Sequence, residues 1–290
     1  MPELPEVETL RRDLERTLVG RTFVSAEARI PRLFVEPRGP EQLVGREVLA
    51  LQRRAKFLIW ELSDQLVMVM HLKLAGQIIH RDARGQTIAS GGHPVPAFHA
   101  PMPHKQTNAT FSFDDKSTVY MTDIRQFARV RILTSAELAP FLGTYQLGPE
   151  PLTRAFSARA LATGLARHPR LAVKPALLDQ RTVAGLGNIY VDESLWLARI
   201  HPERLAGLLS DLEIRRLARA IRSVIGHAVN HGVAEILNGR ATPDHDFPRV
   251  HGRAGGRCPR CRREIAKMRV AGRGTYVCAR CQPRVLTASA

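Results

Sequence analysis

Apolar residues change their spacing twice along this 290-residue chain. In the first twenty positions Val7, Leu10, Leu14 and Leu18 recur at helical intervals. Pro5 suits a first helical turn, Glu6 and Glu8 oppose the positive end of the helix dipole, and Gly20 marks the stop. From Thr22 to about Leu133 the texture is β, with strands predicted at Phe57–Leu62, Leu66–Leu72, Thr110–Phe113, Val119–Met121 and Ala128–Leu133. The stretch Arg81–Gln106, rich in Gly, Pro and His, reads as a surface loop. Helical spacing takes over after Leu147-Gly148-Pro149-Glu150-Pro151, with helices predicted over Ser157–Ala166, Pro175–Leu178, Asn188–Leu197 and Asp211–Val229. In the last of these, Leu212, Leu217, Ala220, Ile221 and Val224 supply the expected buried stripe, and the polar segment Gly239–Gly256 reads as a mobile loop.

These patterns predict an α+β protein of two domains. Residues 1–133 read as a β-sandwich carrying an N-terminal helix, 134–152 as a linker, 153–245 as a helical domain and 246–290 as a cysteine-bearing module. The hydrophobic fraction of 44% is that of a folded chain. No apolar run approaches the ~20 residues a membrane span needs. The acidic, helix-like start lacks a secretory pattern, so a cytoplasmic protein is expected.

Charge then narrows the partners. Lys and Arg number 43 against 27 acidic residues, a formal +16, which calls for a polyanion. Nucleic acid leads; a ribosomal or anionic-membrane role is the blander alternative. Eleven of the basic residues lie between Arg249 and Arg284, with Glu264 the single acid among them.

Four cysteines sit inside that basic stretch. Cys258-x2-Cys261, sixteen residues, then Cys278-x2-Cys281 fits a four-thiolate zinc site joined by a hairpin. Two disulfides are the alternative, disfavoured where cytosolic thiols stay reduced. Four protein ligands leave no open position, so the expected Zn2+ is structural, one per chain. Arg273, in Ala271-Gly272-Arg273-Gly274-Thr275, falls at the hairpin tip between glycines, suited to a phosphate or simply to solvent.

The first residues carry a second chemistry. Pro2 follows the initiator Met, and a small second residue permits Met1 removal, which exposes a prolyl secondary amine. An α-amino group titrates near ~7.7–8 against ~10.4 for Lys, so more of it is free to attack a sugar C1′ at neutral pH. Taken alone, Pro2-Glu3 reads first as a helix start with dipole-compensating acids.

MPELPEVETLRRDL at 1–14 resembles the start of bacterial formamidopyrimidine-DNA glycosylases, of the Fpg/Nei family. The similarity continues through Gln52-Arg53-Arg54-Ala55-Lys56-Phe57, His71-Leu72, Asp123-Ile124-Arg125-Gln126-Phe127, Leu147–Pro151, Leu186-Gly187-Asn188-Ile189-Tyr190 and the four-cysteine finger, in family order. The resemblance implies a β-sandwich, a helix–two-turn–helix module and a zinc finger, with duplex DNA bound between the domains of a monomer. It implies excision of oxidised bases followed by β,δ-elimination. Pro2 is then the nucleophile, Glu3 the acid/base at the opened sugar, and Glu6 a support of the site. Lys56, placed with the catalytic group, and His71, Asn188 and Arg273 grip phosphates around the lesion. Leu74, Arg125 and Phe127 fill the gap left by the flipped nucleotide. From the residues alone, Phe127 reads as a core strand residue, Leu74 as a buried turn residue and His71 as a structural histidine.

Several positions depart from the family pattern. Lys73 stands where Gly is frequent, Leu74 where Met is usual, and Ala128 where Gly follows the aromatic residue. Gly232–Arg249 looks short for a loop that covers a flipped base. PELPEVE favours oxidised purines; a Nei-like preference for oxidised pyrimidines, or a non-catalytic binder of damaged DNA, are the alternatives. His93, His99 and His104 suggest a metal site less readily than a solvated loop.

Overall fold

The computed structural model describes residues 2–231, 233, 236, 237, 240, 241 and 247–284. It forms two compact units, Met1–Thr144 and Tyr145–Ala290.

In the first unit, helix α1 (Leu4–Leu18) buries Val7, Leu10, Leu14 and Leu18, the face its spacing predicts. Strands β1 (Phe23–Ala28), β7 (Thr107–Phe113), β8 (Thr118–Asp123), β5 (Gly76–Arg81) and β6 (Thr87–Gly92) follow one another in a five-stranded antiparallel sheet. Strands β2 (Val48–Arg54), β3 (Phe57–Leu62), β4 (Leu66–His71) and β9 (Arg129–Thr134) form a four-stranded one. Phe23, Trp60, Met68, Phe111 and Met121 share one core with the apolar face of α1. Burying each such side chain contributes roughly 1.5–3 kcal/mol.

Two short crossovers join the sheets, Leu72–Ala75 from β4 to β5 and Ile124–Ala128 from β8 to β9. His71 pairs with Arg129 and Gly76 with Asp123, so both crossovers leave the sandwich at the same end. That end holds most of the predicted site.

The surface loop expected at Arg81–Gln106 is only partly a loop. Thr87–Gly92 pairs along β5 as an edge strand. Its residues, Ala89-Ser90-Gly91-Gly92, have weak strand propensity, and they pair because small side chains admit α1. A Cβ on Gly91 would lie 2.9 Å from Leu10 Cβ. Helix α2 (Ser135–Gly143) also went unpredicted; Thr134 and Glu137 cap it, with Glu137 accepting the Thr134 N–H at 2.7 Å.

In the second unit, α3 (Ala158–Leu165), α4 (Val173–Leu178), α5 (Asn188–Ala198) and α6 (Asp211–His231) match the predicted helices within a few residues. One member of the expected α6 stripe is wrong. Leu212 is 60% exposed, whereas Leu217, Ala220, Ile221 and Val224 are buried. Five residues before Leu217, it is turned about 140° around the helix from it. Two-residue strands β10 (Ile236–Leu237) and β11 (Arg240–Ala241) pair, and β12 (Ala266–Val270) and β13 (Arg273–Val277) form a hairpin. Within the segments read as a short covering loop and a mobile loop, positions 232, 234, 235, 238, 239 and 242–246 lie outside the described residues. From 247 onward the backbone is clamped rather than loose: Glu193 accepts the N–H groups of Arg249, Val250 and His251 at 2.8–2.9 Å. No described helix is long and apolar enough to cross a membrane.

Candidate active site and metal centre

The chain start is packed into the first unit. Pro2 and Glu3 are buried, and Glu3 occupies the N-cap of α1. Glu6 turns back so that its Oε2 accepts the Glu3 N–H at 2.8 Å, one arm of a capping box. Both carboxylates therefore sit at the positive end of the helix dipole, beside the residue expected to be the nucleophile.

Lys56 lies in the two-residue connection from β2 to β3, buried, after Ala55 in the left-handed region at φ 53°. Arg53 ties this turn to α1, donating to the Ala55 carbonyl at 2.9 Å and to Glu8 at 3.0 Å. His71 ends β4 next to that turn, with its ring edge against Phe57. Its Nδ1 accepts the Lys73 N–H at 2.9 Å, which leaves the ring proton on Nε2 as a donor. Burial, reinforced by the charges of Lys73 and Lys56, pushes the imidazole down to about 3. His71 is thus a neutral donor at working pH, suited to a phosphate oxygen.

Both crossovers are held by their own chemistry. In Leu72–Ala75, Lys73 adopts φ 53°, which explains why glycine suits this position and a lysine is strained there. Leu74 is half-buried rather than buried. In the other, Asp123 is buried and accepts the N–H groups of Arg125, Phe127 and Ala128 at 2.8–2.9 Å. That grip lifts Phe127 out to 45% exposure with the Arg125 guanidinium 5.1 Å from its ring centroid. The core-strand reading of Phe127 is therefore wrong: its ring stands out of the core with a cation against it. Asp123 is the residue sequence reasoning left without a role, and its signal was an acid directly before an irregular Arg-x-Phe turn.

In the second unit, Gly187 caps α5 and Asn188 opens it. Asn188 Nδ2 donates to the Gly274 carbonyl at 2.9 Å, and Lys174 Nζ donates to the same oxygen at 3.0 Å. Arg273 is exposed one residue earlier, directly after the Ala271-Gly272 turn with its positive φ angles of 46° and 75°. A single carbonyl thus connects two expected phosphate contacts. Lys174 is wholly buried and also reaches Asp192 at 2.7 Å and Thr275 at 2.8 Å. Asp192 in turn accepts from His251 Nδ1 at 2.8 Å and from the Tyr276 N–H at 3.2 Å. Lys174, Asp192 and Glu193 were not singled out in the sequence; three charges among buried neighbours of α4 and α5 were the available signal. Removing one member of a buried, hydrogen-bonded pair costs about 3–5 kcal/mol. Lys174→Met should lower the second unit's stability by that amount in thermal melts, and adding Asp192→Asn should restore part of it. A melting temperature unmoved by Lys174→Met would dismiss the network.

The four cysteines converge, with their sulfurs within 4.8 Å of one another. Cys258 and Cys281 are 3.9 Å apart, Cys261 and Cys278 3.4 Å. A tetrahedral ion with Zn–S bonds of ~2.3 Å requires S···S separations of about 3.8 Å. The spacing fits one structural Zn2+ per chain. Trp196 Nε1 donates to Cys258 Sγ at 3.4 Å, supporting the thiolate from outside the ligand set. Among the described residues this is the single cluster suited to a metal; His93, His99 and His104 form none.

Family models match in chain order: the formamidopyrimidine-DNA glycosylase N-terminal domain over residues 1–130, its H2TH domain over 147–238, and the zinc finger found in FPG and IleRS over 255–284. A formamidopyrimidine-DNA glycosylase of Lactococcus lactis is 35% identical, the match covering 98% of this chain and all of the relative. The crystal structure of Lactococcus lactis Fpg with DNA containing N7-benzyl-Fapy-dG superposes with a TM-score of 0.84 at 34% identity, covering 98% of this chain and all of that one. A complex of Lactococcus lactis Fpg with abasic-site DNA gives 0.84 at 35%, over 97% and 100%. The expected assembly of β-sandwich, helix–two-turn–helix module and zinc finger is borne out, and the chain belongs to the formamidopyrimidine-DNA glycosylase family.

Proposed function

We propose that this protein is a bifunctional DNA glycosylase and AP lyase acting on oxidised purines in duplex DNA. The observation that carries the reading is that Pro2 and Glu3 are buried directly ahead of α1 with Glu6 folded back onto Glu3, where removal of Met1 would expose a prolyl amine. In this reading the Pro2 nitrogen attacks C1′ of the flipped nucleotide. The bond to the base breaks, the base leaves with the electron pair and gains a proton, and the sugar ring opens to an iminium. Glu3 supplies and recovers protons at the opened sugar, and Glu6 holds Glu3. Abstraction of a C2′ proton then expels the 3′ phosphate, and a second elimination expels the 5′ phosphate.

Lys56, His71, Asn188 and Arg273 are assigned to phosphates about the lesion. His71 donates as a neutral imidazole, its pKa pushed down to about 3 by burial and by the charges of Lys73 and Lys56. Flipping costs a few kcal/mol of stacking, and pinned phosphates with an inserted side chain offset that cost. Leu74 is the wedge, Phe127 the intercalator and Arg125 the partner of the orphaned base. The domain roles follow: catalysis in 1–133, a connection over 134–152, DNA gripping by 153–245 and by the finger at 246–290. A cytoplasmic monomer fits these assignments.

Substrate class is decided on paired duplexes that differ only in the lesion. Excision of 8-oxoguanine should outpace that of 5-hydroxyuracil and thymine glycol by at least about 10-fold, a difference of about 1.4 kcal/mol in barrier. Faster release of the pyrimidine lesions would place the chain with the Nei-like enzymes.

A further inference from the structure

The edge strand β6 and the segment that follows it belong to no role assigned above. Their place in the first unit is well defined. Thr17, in the last turn of α1, meets His80 at 3.0 Å, and His80 pairs with Ala89 of β6. Two residues further along β6, Gly91 lies against Leu10. Strand β6 therefore runs beside α1 in the opposite direction, from the end of the helix toward its start. His93 directly follows the last residue of β6, Gly92, and so lies toward the start of α1, the end at which Pro2, Glu3 and Glu6 stand.

The same register sets His93 against the gap-filling loops. Its N–H donates to the Gly76 carbonyl at 3.0 Å, and Gly76 pairs across β8 with Asp123, the anchor of the Arg125–Phe127 turn. Gly76 also ends the crossover that carries Leu74. His93 thus stands between the expected nucleophile and the residues expected to fill the vacated stack.

The segment is built to hold this position. Buried Gln77 donates from Nε2 to the His93 carbonyl at 2.8 Å and to the Pro96 carbonyl at 2.6 Å, and Thr122 Oγ1 fixes its Oε1 at 2.8 Å. Gly92 is required here: at φ 106° its Cβ would lie 2.4 Å from the Gly76 carbonyl oxygen. The Val95 N–H donates to His93 Nδ1 at 3.3 Å, which assigns the ring proton to Nε2. Burial lowers the affinity of this half-buried imidazole for a second proton, although Asp123 draws the other way.

We propose that His93 is a specificity-determining residue of the lesion pocket, donating from Nε2 to an oxygen acceptor on the flipped oxidised base. The inference rests on the glycosylase reading given above. Such a contact engages the base and leaves the sugar chemistry alone, so its loss separates two steps that a structural defect would slow together.

The test compares wild type, His93→Leu and His93→Gln, whose amide places a donor near the Nε2 position, on two substrates. One is 8-oxoguanine duplex, the other the same duplex with a preformed abasic site. Single-turnover base release should fall at least about 10-fold in His93→Leu, with recovery in His93→Gln, while strand cutting at the abasic site stays within about twofold. Equal losses on both substrates, or no loss on either, would overturn the assignment. Wild type inactive on both substrates would instead remove the glycosylase reading itself.

Discussion

A chain carrying one extra residue ahead of Pro2, or one that retains Met1, should lose base excision and strand cutting by at least ~10^3-fold. The reason is electronic. Acylation turns the prolyl nitrogen into an amide whose lone pair is delocalised into the carbonyl, so no nucleophile remains to form the iminium. A 10^3-fold loss corresponds to about 4 kcal/mol of barrier, within what a covalent path supplies over an unassisted one. Borohydride, which reduces the iminium to a stable amine, should trap the processed protein on abasic DNA and leave the extended one free. DNA affinity should barely change, because the expected phosphate contacts at Lys56, His71, Asn188 and Arg273 are separate from the amine. Pro2→Gly is the control for local damage. Its primary amine has a similar basicity and should retain trapping at reduced rate. Trapping of the extended chain at the wild-type rate would end the Pro2 assignment.

Much of this site was legible because its parts are local in sequence. A proline and two acids within six residues declare a helix start with an amine before it, and paired Cys-x2-Cys units declare a four-thiolate centre. What stayed hidden is tertiary. Phe127 looks like a strand residue until Asp123, four positions earlier, gathers three backbone N–H groups and throws the turn outward. Strand β6 escaped notice because Gly91 and Gly92 weaken strand propensity while permitting the close approach of α1 and β5. Lys174 was invisible for the same kind of reason. Its partners Asp192, Gly274 and Thr275 lie 18 to 101 residues away, and a buried lysine has no periodic signature.

Zinc removal should have the other large effect, through the same partners. The hairpin has two five-residue strands, too few to persist alone, and its core consists of Trp196, Val250, Ile265 and Tyr276 packed with three buried cysteines. For such modules the metal supplies the folding free energy, an apparent ~10–16 kcal/mol in zinc-finger peptides. Chelation, or Cys261→Ser, should therefore dissolve the finger rather than loosen it. Gly274 would then no longer hold Asn188, and Lys174 would lose two of its acceptors. Affinity for duplex DNA should fall by at least about 100-fold, with release of one zinc per chain. The salt dependence carries the sharper signature. Each lost phosphate contact removes about 0.9 from the slope of log K against log salt. Arg273→Ala should flatten it by about one contact, and the zinc-free protein by more, since the finger's other arginines are lost with it. An unchanged affinity and slope after complete zinc release would mean that the finger does not touch DNA.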